Sequence, residues 1–232
     1  MLYGMIFDLD GVVADTHPIH KEAWRQLLAE AGRRVSSKQL EFVCQGRKRE
    51  DILRHFFGAL PAEAMQRYGN RKDELFLKSM QEVRAITGII EFLGELEKAG
   101  MPKALATSAG VQRTRHVLGW LSLTHCFRAV VTGDDVVRGK PDPTIFLMAA
   151  QQLGLAPREV LVVEDSCAGV GAANAAGMKC LGVAKQAQAT RLRREGADYI
   201  IPDFNGLTVG RVKALFEASQ RSPLPRGVES AA

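Results

Sequence analysis

Short apolar runs bounded by glycine, proline or acids recur along the chain, at LYGMIF (2–7), KALAT (103–107), AVVTG (129–133), VLVVED (160–165), KCLGVA (179–184) and DYII (198–201). Runs of this length predict buried strands. Between most of them lie segments with apolar residues at helical spacing, such as IIEFLGELEKAG (89–100), TIFLMAAQQLG (144–154) and AGVGAANAAG (168–177). Strand alternating with helix predicts an α/β fold, a Rossmann-like parallel sheet covered on both faces.

The interval from His17 to about Thr87 breaks this rhythm. HKEAWRQLLAEAG, SKQLEFVC, KREDILRHFF, PAEAMQRY and KDELFLKSM are all helical in pattern, with no convincing strand among them. We expect an all-helical inserted domain at 16–87 and a core built from 1–15 and 88–220, with linkers near Asp15–Thr16 and Ala85–Gly88. The tail, 221–232, has two prolines and little to bury, and is expected to be loosely ordered.

Composition narrows the class. At 232 residues, 46% hydrophobic and 25% charged, the chain is ordinary soluble globular material. Its start, MLYGMIFDLDG, shows neither the basic region nor the apolar run of a secretory signal, so the expected location is cytoplasmic, with no membrane partner. Cys44, Cys126, Cys167 and Cys180 are scattered, without metal-ligand or disulfide spacing, and read as reduced, mostly buried thiols. A net charge of +5 suits a phosphorylated substrate. The basic residues are dispersed and lack interleaved aromatics, which argues against nucleic acid.

In open α/β sheets, ligands sit beyond the carboxyl ends of the strands. The predicted strand ends carry Asp8 and Asp10, Thr107 and Ser108, Glu164 and Asp165, with Lys140 in the loop after AVVTG. Asp8 and Asp10 stand at i and i+2 of an extended segment, so both address one side. Like charges this close need a cation. Hard oxygen ligands that leave positions for water and phosphate suit Mg2+.

FDLDGVVADT, the threonine of ALATS, the lysine of GKPDP and the acids of VVEDS, in this order across the core, resemble the four signature motifs of the haloacid dehalogenase superfamily. The helical insertion resembles the cap of its β-phosphoglucomutase-like and phosphatase branch. The resemblance implies that Asp8 is a nucleophile forming an aspartyl phosphate, and that Asp10 is the general acid and then the base. Thr107 and Lys140 would bind phosphoryl oxygens. Asp165 and Glu164 would complete a magnesium site with Asp8 and the backbone carbonyl of Asp10. Ser166 reads as a plain helix N-cap.

In the cap, Thr16, His20, Trp24, Gly46, Arg49 and Lys72 fall where this branch places hinge and substrate contacts, with Ser108 and Ala109 completing the set in the core. Arg49 is the first candidate for the substrate's remote end. Trp24 also fits a core residue, and Arg47, Lys48 and Lys72 fit a solvated helix face. Mutases follow the second motif with a polar Ser-Lys-Asn run that holds the other phosphate. Here 109–111 read Ala-Gly-Val, so hydrolysis of a small phosphomonoester, a sugar phosphate above all, is expected over mutase chemistry.

Four other readings are weaker. Asp10 argues against a dehalogenase, which lacks this acid. Arg49, where a phosphonatase would carry its Schiff-base lysine, cannot form an imine. A phospho-receiver domain would be about half this length with its aspartate on a middle strand, and a non-catalytic phosphate-ligand or partner-binding protein would have lost part of the acid and hydroxyl set. A monomer is the default for the branch.

Overall fold

The computed structural model describes residues 1–221. The expected tail, apart from Arg221, lies outside the described residues.

Strand β1 (Gly4–Phe7) opens the core, and β2 (Ala14–Asp15) follows at once. The chain then departs into an insert made of α1 (His17–Glu30), α2 (Ser37–Leu40), α3 (Arg49–Phe57) and α4 (Ala62–Leu77). It returns through β3 (Arg84–Ala85) and continues as α5 (Ile89–Lys98), β4 (Lys103–Ala106), α6 (Val111–Trp120) and β5 (Ala129–Val131). The second half of the core comprises α7 (Thr144–Leu153), β6 (Val160–Glu164), α8 (Cys167–Ala175), β7 (Lys179–Val183), α9 (Gln186–Glu195), β8 (Tyr199–Ile201) and α10 (Val209–Arg221).

Six strands form one sheet in the order β5-β4-β1-β6-β7-β8, and all its pairings are parallel. Period-two alternation sorts the side chains. Met5 and Phe7 join a core with Phe92, Leu96, Val117 and Phe216, whereas Ile6 joins Ile145, Phe146, Val170 and Leu192 on the other face. Strand order reverses between β1 and β6, so the crevice for a ligand opens where Asp8 follows β1 and Asp165 follows β6.

Two expectations need correction. The insertion is not all-helical, because β3 lies within its expected span and pairs antiparallel with β2, Asp15 opposite Arg84. Two-residue strands leave no periodicity to read, yet they join the outgoing and returning chain. PAEAMQRY and KDELFLKSM are one helix, α4. Gly69 interrupts its pattern because a Cβ there would lie 2.8 Å from Arg49 Nε. Of the four thiols, Cys180 is buried and the others are half-buried. Among the described residues, no helix is long and apolar enough to cross a membrane.

Candidate active site

Asp8 leaves the end of β1 with its N–H donating to Val163 O of β6 at 3.0 Å. Its Oδ1 accepts from Lys140 Nζ at 2.7 Å, and the same ammonium donates to Glu164 Oε1 at 2.6 Å and to Ala106 O at 3.2 Å. Burial pushes the Asp8 carboxyl up to about 7, because Lys140 only partly offsets the lost hydration and the neighbouring acids add repulsion. Among the described residues, Asp8 Oδ2 accepts no hydrogen bond, and Asp8 lines the cavity beneath the insert.

Both oxygens of Glu164 are held by other groups of the chain. Its Oε2 carries three donors at 2.9 Å, the backbone N–H groups of Asp165 and Ser166 and the Ser166 hydroxyl. Glu164 therefore anchors Lys140 to the start of α8. Ser166 accepts from Gly169 N at 3.0 Å, the N-cap expected of it. Asp165 faces the cleft, with Oδ2 3.2 Å from His17 Nε2. Burial, then repulsion from Glu164 and Asp8, raises Asp165 well above the ordinary carboxylate range. Gly11, at φ +79°, makes this approach possible, since a Cβ would meet Asp165 Oδ2 at 2.1 Å.

Among the described residues, no three His, Cys, Asp or Glu side chains close on one point as a metal cage. Two under-neutralised carboxylates, Asp8 and Asp165, together with the Asp10 carbonyl nevertheless suit a magnesium ion that keeps most of its ligands as water and phosphate.

Asp10 is gripped from every side. Thr16 Oγ1 donates to its Oδ1 at 2.6 Å, and Arg113 reaches Oδ1 and Oδ2 through two guanidinium nitrogens, both at 2.8 Å. Burial opposes ionisation of Asp10 most strongly, but the Arg113 charge, His20 and the hydrogen bonds from both together outweigh it and hold the carboxyl well below its usual range. Arg113 NH1 also lies 2.8 Å from His20 Nε2. Burial, with Lys72 and Arg113 adding to it, pushes His20 down to about 3, so the ring is neutral and accepts at Nε2.

The other expected residues gather here, with two qualifications. Thr107 is fully buried and its Oγ1 accepts from Ala109 N at 3.1 Å. Ser108 Oγ donates to Gly46 O at 2.6 Å, tying core to insert. Lys72 is 3% exposed, not on a solvated face, and sits 5.0 Å above the Phe76 ring and 5.9 Å above that of Trp24. Trp24 is a core residue that also lines the cavity. Arg49 lines it too, but its guanidinium is held by Asp73 at 2.6 Å and Glu50 at 3.3 Å. The enclosed space measures about 50 Å³.

Sequence reading missed Arg113, Asp73 and His17. Arg113 stands in the first turn of α6, whose N-terminus begins at the carboxyl edge of the sheet, and that placement was the available signal.

Residues 5–183 match the family model described as haloacid dehalogenase-like hydrolase. The chain belongs to the haloacid dehalogenase-like hydrolases. Hexitol phosphatase A of Escherichia coli is 33% identical over 208 residues, covering 89% of this chain and 93% of that protein. Beta-phosphoglucomutase of Mycobacterium tuberculosis is 32% identical, with 85% and 88% covered. Among solved structures, beta-phosphoglucomutase from Clostridium difficile superposes with a TM-score of 0.85 at 25% identity, covering 96% of this chain and all of that one. These haloacid dehalogenase-like relatives divide between phosphatases and mutases, and the protein is an enzyme of the same family.

Proposed function

We propose that the protein is a magnesium-dependent phosphatase that hydrolyses a small phosphomonoester of the sugar-phosphate class through an aspartyl phosphate, with the insert acting as the cap over the site. The observation that carries this reading is the pairing of Asp8 with Lys140 at 2.7 Å beside a second carboxylate, Asp10, in one buried cavity.

In the first displacement, an Asp8 oxygen attacks phosphorus and the ester oxygen leaves, taking a proton from Asp10. In the second, Asp10 takes a proton from water as it attacks the acyl phosphate, releasing phosphate and restoring Asp8. Lys140 and the Thr107 hydroxyl supply charge and a hydrogen bond to phosphoryl oxygens. Magnesium, held by Asp8, Asp165 and the Asp10 carbonyl, would neutralise charge on the phosphoryl group. The proton-donor role requires Asp10 to leave the grip of Arg113.

One feature favours hydrolysis over mutase chemistry. At the N-terminus of α6, Val111 N–H already donates to Asp134 Oδ2 at 2.8 Å. A carboxylate thus occupies the position where the mutase resemblance would seat a second phosphate.

The test is phosphate release from a panel of phosphomonoesters with magnesium, for the protein and for Asp8→Asn, including β-glucose 1-phosphate with a bisphosphate primer. Release lost in the variant supports the phosphatase. Glucose 6-phosphate formed without phosphate makes the protein a mutase instead.

A further inference from the structure

Among the described residues, Arg113 is a cation that joins both halves of the cavity wall. It rises from α6 in the core, lies 5.2 Å from the Phe76 ring of α4, contacts His20 of α1 and grips Asp10 through both oxygens. It is 7% exposed. A buried guanidinium stripped of its carboxylate is left as an unpaired charge, which is strongly unfavourable. Asp10 therefore becomes available to a substrate only when something else fills the fork of Arg113.

The rest of the wall indicates what that is. Two buried polar atoms there have no partner among the described residues, His20 Nδ1 and Arg47 Nε. Since His20 Nε2 accepts from Arg113, its proton sits on Nδ1, so both orphans are donors. Four cations, Arg47, Arg49, Lys72 and Arg113, line the cavity among four carboxylates, Asp8, Asp10, Asp73 and Asp165, the first and last of these being the proposed magnesium ligands. Two orphaned donors and a two-pronged fork call for an acceptor-rich anion.

We propose that Arg113 is a specificity residue that exchanges the Asp10 carboxylate for a second oxyanion on the substrate, so that the preferred phosphomonoesters carry a carboxylate or a second phosphate remote from the transferred group. This inference rests on the phosphatase reading. It moves the remote contact from Arg49, which Asp73 and Glu50 hold, to Arg113. A neutral remote end would leave Arg113 on Asp10 and the proton donor withheld.

The experiment compares kcat/KM for pairs that differ in one group: 3-phosphoglycerate against glycerol 3-phosphate, 6-phosphogluconate against sorbitol 6-phosphate, and fructose 1,6-bisphosphate against fructose 6-phosphate. The first two pairs test a carboxylate and the third a phosphate. The member with the second anionic group is expected to lead, for at least one kind, by roughly 10- to 100-fold, the range of a charged hydrogen-bond pair. Arg113→Met should erase the lead. Arg113→Lys, which keeps charge but lacks the fork, should retain only part of it. The wild-type ratios and the lysine variant decide the matter if the methionine variant fails to fold. Equal or better turnover of all members without the second anionic group, a lead unchanged in Arg113→Lys and Arg113→Met, or turnover confined to other phosphates without a second anion would overturn the inference while the phosphatase stands. Phosphate release from nothing in either panel would remove the phosphatase reading and this inference with it.

Discussion

The ammonium of Lys140 bridges Asp8 and Glu164, at 2.7 and 2.6 Å, and is itself almost wholly buried. One cation thus compensates two carboxylates, and each needs it because hydration is lost. Lys140→Met should cost about 3–5 kcal/mol of stability by leaving these charges uncompensated. Urea midpoints measure it; a loss under about 1 kcal/mol would mean the triad contributes little. Adding Asp8→Asn to Lys140→Met should cost less than the two single changes summed.

Lys72 gives a pH signature. Burial, followed by repulsion from Arg113, lowers its folded-state value from 10.5 to about 7. Between those values the unfolded chain holds a proton that the folded chain lacks. Stability from this group therefore rises with pH across that window, by up to about 1.4 kcal/mol per unit, and its cost is complete below pH 7. The stability difference between the protein and Lys72→Met, followed from pH 6 to 10, should shift in favour of the lysine form as pH rises. A pH-independent difference would show that Lys72 is charged in the folded state throughout.

Two glycines should respond oppositely to alanine. At Gly169 a Cβ would meet Glu164 Cδ at 1.8 Å. Gly169→Ala must displace the anchor of Lys140, with an expected loss of roughly 1–3 kcal/mol and a fall in kcat. Gly94, inside α5, has nothing within 4 Å of the added methyl. Gly94→Ala should gain roughly 0.5–1 kcal/mol and leave kcat alone. Thermal melts and initial rates on both variants check the pair.

Ser108→Ala removes the hydroxyl that donates to Gly46 O, a direct tie between core and insert. The variant is expected to raise KM with its melting temperature nearly unchanged, as a tie that acts on closure of the proposed cap requires. A loss of about 1 kcal/mol in global stability with KM unmoved would assign it to folding alone.

All six core strands were legible because each is a short buried run between turn signals, and the acids at their carboxyl ends were legible because no other role explains Asp8 beside Asp10. The role of Arg113 was hidden. Its meaning depends on α6 starting at the carboxyl edge beneath α1 and α4, a three-dimensional relation with no local signature. The other partners of Glu164 were hidden for a related reason: its place beside Asp165 suggested a metal ligand, while the turn into α8 also aims its carboxylate at Lys140 and the helix start. The β2–β3 ribbon was too short to signal anything.

The cavity of about 50 Å³ has room for roughly three or four water molecules. In so small a space, water is a reactant counted molecule by molecule rather than a solvent. On the proposed reading of the insert as a cap, a sugar-sized substrate would enter with the insert lifted, and what is enclosed as it descends would fix the available acceptors. If a water is caught beside Asp8, the outcome is hydrolysis; if an alcohol stays in its place, the phosphoryl group passes to that alcohol. The border between hydrolase and transferase is then an inventory taken at closure, ahead of any bond making.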